Sequence, residues 1–178
     1  MFALTLSGAR TQLSNFANIL RILPRRGDAR EEGKEIVNSF VIHRKIRMSD
    51  ADIYGNVHNL SIIRYAEDLA VEFATAQRDE TGVQTYWGTA QVQATFSLPL
   101  PWTLGEVETR LVVEKLGRAS ITVRTDIVSA HGQHATVGAR YIRFDSTGSR
   151  AAMTPQEREW YQRYLVDETV QEEVDVML

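Results

Sequence analysis

Ser49-Asp50-Ala51-Asp52-Ile53-Tyr54-Gly55-Asn56-Val57-His58-Asn59 separates two kinds of pattern in the chain. Upstream, from Ile36 to Met48, apolar and polar residues partly alternate (Phe40, Ile42, then Ile46, Met48), as in a strand with one buried face. The quoted stretch itself packs two Asp, one Gly and one Asn into the eight positions from Ser49 to Asn56, the composition of a turn. Downstream, Val57 to Arg78 holds no Gly or Pro, and Ile62, Ala66, Leu69, Phe73 and Ala76 recur at intervals of three and four. That spacing predicts one long helix with an apolar stripe. Asn56 or the Asp52 side chain is the expected cap at its start, and Gly82 the end signal just beyond its last turn.

Beyond the helix the period changes. Thr89 to Leu98, Glu106 to Leu116, Ala119 to Val128 and Ala135 to Phe144 are rich in Val, Thr, Ile and aromatic residues. Turn signals separate them: Pro99 with Pro101, then Gly117, then His131 with Gly132. Four strands joined largely by short turns predict an antiparallel meander. A last helix is expected from Thr154, with Pro155 at its first position and Glu157 completing a capping box, to about Leu165. Strand, long helix, then four strands is an α+β order, with the helix on one face of a sheet of about five strands. Such a sheet leaves a long edge, which a second copy commonly covers, so a homodimer or a dimer of dimers is expected.

Three segments follow from this reading: 1–35 as an N-terminal helix and charged linker, 36–166 as the folded domain, and 167–178 as an acidic tail. In the first, Leu13, Phe16, Ile19, Leu20 and Leu23 recur at helical spacing, and Arg10, Arg21, Arg25 and Arg26 precede the first acid, Asp28. A helix packed on the domain, an amphipathic helix touching a membrane surface and an organelle-targeting presequence all fit that pattern. The expected compartment is the cytoplasm, with an organelle matrix or peripheral membrane association left open.

Composition removes whole classes of function. The chain has 178 residues, 43% hydrophobic and 24% charged, which describes a globular domain and neither a disordered nor a low-complexity one. A net charge of -3 lacks the basic excess that a phosphate-backbone binder uses, so nucleic acid is not an expected partner. Without any Cys there is no disulfide framework, thiolate metal site or cysteine nucleophile. Of the four His, only His131 and His134 are close in sequence, so no zinc cluster is expected. No run reaches the ~18 apolar residues of a membrane span.

The order strand, Asp-x-Asp-x-x-Gly (Asp50, Asp52, Gly55), short stretch ending in Asn59, long helix and four strands resembles the hotdog-fold thioesterases, specifically the 4-hydroxybenzoyl-CoA thioesterase-like group. The resemblance covers roughly Ser39 to Asp145. It implies a hotdog fold, a long central helix against an antiparallel sheet of about five strands. It also implies hydrolysis of an acyl thioester, carried by coenzyme A or an acyl carrier protein, with no metal and no bound cofactor. In that group the second Asp of Asp-x-Asp is the catalytic carboxylate, here Asp52, acting as base or nucleophile. Backbone amides near His58 and Asn59, at the positive end of the helix dipole, are candidate donors to the oxyanion. Gly55 and Asn56 shape the turn against the substrate. Alternatively, Asp50 and Asp52 only cap the helix and fill an Asx turn.

Two departures leave the roles open. Gly55-Asn56-Val57-His58-Asn59 stands where a widespread branch reads Gly-His-Val-Asn-Asn, so His58 either orients a water or the carbonyl or is a helix-start histidine. Another branch resembles Val-His-Gly-Gly with an acid nine residues after the His. Val57, His58 and Glu67 keep that spacing, with Asn59-Leu60 in place of the Gly pair. Glu67 is therefore a rival to Asp52, although the preferred reading puts it with Arg64, Asp68 and Glu72 on a solvated helix face. Gly117-Arg118-Ala119-Ser120 resembles the family's Gly-x-x-Ser turn, so Arg118 and Ser120 are candidate substrate contacts, with Lys115, Arg140 and Arg143 as further charge for coenzyme A phosphates. Trp87, Trp102, Tyr86 and Phe96 either line an acyl pocket or fill the core. The rival functions are a hotdog hydratase or dehydratase using Asp52 and His58, and a non-catalytic protein that binds an acyl group or lipid.

Overall fold

A computed structural model describes residues 38–166. The expectations for 1–35 and for 167–178 fall outside the described residues. The element order is β1 (Phe40–Lys45), α1 (Asn59–Thr81), β2 (Tyr86–Phe96), β3 (Glu106–Leu116), β4 (Ser120–Ser129), β5 (Gly132–Phe144) and α2 (Pro155–Gln162). The five strands form one antiparallel sheet with α1 lying on one face, the hotdog arrangement. Among the described residues no helix is long and apolar enough to cross a membrane.

The strand order, β1-β3-β4-β5-β2, corrects the expected four-stranded meander. Strands β3, β4 and β5 do follow one another by hairpins, but β2 pairs with β5 at the far edge. The reason is the long connection after Phe96, where Pro99 and Pro101 prevent a tight hairpin and carry the chain across the end of the sheet. That connection is pinned on the way, since Val57 N–H donates to Leu100 O at 2.7 Å and Ile46 N–H to Gly105 O at 2.9 Å.

Period-2 and period-3.6 patterns meet in the core. On β4, Ile121, Val123, Thr125 and Ile127 all point inward and are buried. They face the α1 stripe of Ile62, Tyr65, Ala66, Leu69 and Phe73. Register shifts between Val113 and Lys115 and between Thr89 and Gln91 mark bulges, which increase local twist and let the sheet curl round the helix. Gly82 at φ +71° ends α1 in the left-handed conformation that a side chain resists. At the other end of the chain Thr154 accepts from Glu157 N–H while the Glu157 carboxylate accepts from Thr154 N–H, the expected capping box. This sets α2 so that Trp160 and Tyr161 stack on Phe73, at centroid distances of 4.8 and 5.5 Å.

Candidate active site

The Asp-rich turn is held mainly by its own acids. Asp50 is buried: its Oδ2 accepts from Arg47 N–H at 3.1 Å and from Tyr65 O–H at 2.7 Å. Burial, then the Asp50 carboxylate, push the Tyr65 phenol well above its ordinary range, so Tyr65 stays a donor. Asp52 is half-buried, and its Oδ1 accepts from Tyr54 N–H at 2.8 Å and Asn56 N–H at 3.0 Å, an Asx turn. Asp52 N–H in turn donates to Asn56 O at 2.7 Å. Gly55, at φ +82°, supplies the left-handed residue that closes this loop. Ile53 and Tyr54 project from it into solvent.

The helix start differs from expectation. Neither Asn56 nor Asp52 caps α1; His58 does, its Nδ1 accepting from Leu60 N–H at 3.1 Å. Asn56 is occupied elsewhere, bridged to Pro101, while Ala51 bridges to Val57, so the chain enters the helix two residues later. Because Nδ1 accepts this bond, Nε2 is the ring nitrogen left without a partner among the described residues, on an exposed side chain. The expected amide donors are also largely committed. His58 N–H donates to Asp50 O at 2.8 Å, and Ser61 and Ile62 N–H both donate to His58 O. Of these turn amides, Asn59 N–H has no acceptor among the described residues.

Glu67 is set differently from Arg64, Asp68 and Glu72, with which the sequence grouped it. Arg44 gathers Glu72 at 3.2 Å and Asp68 at 3.9 Å on one flank of α1. Glu67 lies on the other flank, half-buried, and its Oε1 accepts from Tyr141 O–H at 3.0 Å. Burial and then the Glu67 charge hold the Tyr141 phenol above its ordinary range, so it remains protonated toward the carboxylate. The pair borders an apolar recess of about 130 Å³ between α1 and the inner face of β2, β4 and β5. Phe73, Trp87, Ile121, Val123 and Tyr161 are among its walls, and Glu67 is its one carboxylate among the described residues.

Asp52 and Glu67 do not converge within one protomer. Asn59 and Glu67 are eight residues apart on α1, which is roughly 12 Å along the axis at 1.5 Å per residue, and Asp52 lies before the helix begins.

Arg118 and Ser120 form the β3–β4 turn, where Gly117 N–H donates to Ser120 O at 2.9 Å. A Cβ on Gly117 would fall 2.5 Å from Ser120 Oγ, so a larger residue there would oblige the Ser120 side chain to turn away. The turn serves the C-terminal segment, with Arg118 O accepting from Met153 N–H at 2.9 Å and Gly117 O from Arg158 Nη2 at 2.6 Å. The Arg118 side chain is exposed. Arg143 does not offer charge to a phosphate: it is buried, with Nε donating to Glu157 Oε1 at 2.9 Å. Of the four aromatics, Trp87 lines the recess and Trp102 packs on the core cluster beside α1's start, while Tyr86 and Phe96 are exposed along β2. Among the described residues no three His, Asp or Glu side chains are grouped as a metal site. The sequence reading missed Tyr141 and Tyr161. Tyr141 has one signal, since it stands in β5 at an inward, alternate position of a strand that was itself anticipated.

No family model matches the chain and no curated protein matches it in sequence. Solved structures do match in fold. The dynemicin thioesterase, described in a study of polyene binding, superposes with a TM-score of 0.64 at 16% identity, over 73% of this chain and 99% of that one. A 1,4-dihydroxy-2-naphthoyl-CoA thioesterase from Synechocystis gives 0.59 at 10% identity, over 70% and 96%. A hypothetical protein of Staphylococcus aureus solved in complex with CoA gives 0.63 at 12% identity, over 76% and 91%. At such identities the likeness is one of fold.

Proposed function

We propose that the chain hydrolyses an acyl thioester of coenzyme A, releasing the free acid and the thiol, with Glu67 as the reacting carboxylate. The observation that carries this reading is a carboxylate held by a tyrosine hydroxyl at the edge of an apolar recess. An acyl group seated in the recess brings its thioester carbonyl beside Glu67. The carboxylate then either removes a proton from water attacking the carbonyl carbon or attacks it directly, and the second route needs water to cleave the resulting anhydride. Either way the carbon–sulfur bond breaks, the thiolate takes a proton, and one water is consumed. Tyr141 orients the carboxylate from one side, leaving the other oxygen for the reaction. Coenzyme A as the carrier is supported by two similar folds, one named as a CoA thioesterase and one bound to CoA.

The test is release of thiol from acyl-CoA and acyl carrier protein esters by purified protein. Free thiol from the CoA esters is expected. Hydration of an enoyl ester with no thiol release favours the hydratase, and binding without turnover favours the non-catalytic reading.

We further infer that the working unit is a homodimer formed across the β2 edge. Strand β2 is the outer strand beyond β5 and is exposed over most of its length. On the flank of α1 beside it, Leu60 and Val71 are 68% and 66% exposed, and they are three turns apart on one helix face. Val71 also borders the recess, so the same second copy that pairs with β2 would shelter the recess mouth. Light scattering is expected to give twice the 20.1 kDa chain mass. A monomer at micromolar concentration contradicts it.

A further inference from the structure

The recess beside Glu67 is closed at its inner end by a side chain from outside the sheet and the long helix. Tyr161, on α2, is 1% exposed, and its hydroxyl accepts from Trp87 Nε1 at 3.2 Å and reaches Gln77 Oε1 at 3.5 Å. The Tyr161 and Trp87 rings stand edge to face with centroids 5.9 Å apart. On the α1 side of the recess Tyr161 packs on Phe73, ring centroids 5.5 Å apart, and Phe73 lies six residues beyond Glu67, roughly 9 Å along the axis, so Tyr161 marks the end of the recess remote from the carboxylate.

That end is braced on both sides of α2. Glu157, one turn before Tyr161, is fully buried and accepts from Arg143 Nε and from Thr85 Oγ1, each at 2.9 Å. Trp160 Nε1 donates to Glu80 Oε2 at 2.8 Å, and Arg163 holds the same carboxylate at 2.8 and 3.0 Å. The stop therefore cannot retreat by a rotamer change of one exposed side chain. A space of about 130 Å³ is close to the apolar cavity of roughly 150 Å³ that takes a benzene molecule.

Resting on the thioesterase reading, we propose that Tyr161 determines acyl specificity: with Trp87 it forms the floor of the recess and restricts the substrate to acyl groups of about six carbons, the volume of one ring. Longer straight chains meet the floor before their carbonyl reaches Glu67. Ring-sized and short branched or straight acyl groups fit, and the specificity element is carried by the C-terminal helix, which touches none of the reacting atoms.

The experiment compares kcat/KM for acetyl-, hexanoyl-, benzoyl-, decanoyl- and palmitoyl-CoA in the full chain and in Tyr161→Ala, with Tyr161→Leu as the variant that keeps buried apolar bulk if the alanine form fails to fold. The unaltered protein is expected to cleave hexanoyl- and benzoyl-CoA at least tenfold better than decanoyl- and palmitoyl-CoA. Shortening Tyr161 is expected to narrow that ratio by tenfold or more, chiefly through KM for the long esters. Equal turnover of hexanoyl and palmitoyl esters overturns the proposal, as does an unchanged length profile in a folded Tyr161 variant. If no ester is cleaved, the thioesterase reading falls but the floor is still measured by calorimetric binding of hexanoyl- and palmitoyl-CoA. Tighter hexanoyl binding that loses its advantage in the variant supports the floor; equal binding, or binding of neither, overturns it.

Discussion

Glu67→Gln is expected to lower acyl-CoA turnover by about 10² to 10⁴, the usual cost of removing a general base, with little change in melting temperature. Glutamine keeps the size of the side chain and its carbonyl can still accept from Tyr141 O–H, so the packing at the recess survives while the base and nucleophile are lost. Asp52→Asn provides the contrast. An asparagine Oδ1 still accepts from the Tyr54 and Asn56 amides, so the turn is retained and turnover should stay within a few-fold of the original. Thiol-release kinetics beside thermal melts separate the two acids. A well-folded Asp52→Asn that is inactive, with Glu67→Gln normally active, would return the chemistry to the Asp-x-Asp turn and assign the chain to the branch that its Asp50-Ala51-Asp52 motif resembles.

The sequence put Asp52 first and Glu67 as its rival because a motif is legible and a cavity is not. Asp-x-Asp before a helix can be read residue by residue, whereas the value of Glu67 depends on what faces it from β4 and β5, some 50 to 75 positions away. The grouping with Arg64, Asp68 and Glu72 failed for a reason visible only on the helix circumference. At about 100° per residue, Glu67 stands roughly 100° from Asp68 and 140° from Glu72, far enough to leave their flank for the other one. Arg44 on β1 then decides the matter by drawing Asp68 and Glu72 to its own side.

The elements themselves were largely legible, and the chief error concerns how they pair. β3 runs from Glu106 to Leu116 as anticipated, because Gly105 and Gly117 bracket a run free of Gly and Pro in which Val107, Thr109, Leu111 and Val113 alternate inward. The α2 start matches because Thr154, Pro155 and Glu157 each act through contacts within four residues. What sequence could not order was the sheet. A connection of nine residues after β2 looks like a loop between neighbours, yet its Leu100 O and Gly105 O accept from Val57 N–H and Ile46 N–H, both on the segment between β1 and α1. Long-range hydrogen bonds of that kind decide strand order and leave no local pattern. His58 taking the cap in place of Asn56 has the same origin, since Asn56 is held by Pro101 across the fold.

Arg143→Met should be the most damaging substitution for the fold. Arg143 and Glu157 are both buried, and removing one partner of such a pair costs about 3 to 5 kcal/mol because the other charge is left without compensation. That corresponds to a drop in melting temperature of roughly 10 °C or more for a chain of this size. The pH dependence identifies the cause. Burial pushes the Glu157 carboxyl up, but hydrogen bonds from Arg143, the Thr154 amide and Thr85 outweigh it and hold ionisation below the ordinary glutamate range. A carboxyl depressed in the folded state contributes stability that is complete above its unfolded value, about 4.3, and is lost as the pH falls through the folded value. The unaltered protein should therefore lose stability on acidification below about pH 4.3. In Arg143→Met the sign reverses, because an unpaired buried Glu157 is easier to fold protonated. The gap between the two proteins is expected to narrow as the pH falls from 7 to 4, and Arg143→Met combined with Glu157→Gln should recover part of the loss at neutral pH. A constant gap across that range, or no recovery in the double variant, would mean that Arg143 acts through packing alone and that the C-terminal helix is held by its aromatic contacts with Phe73.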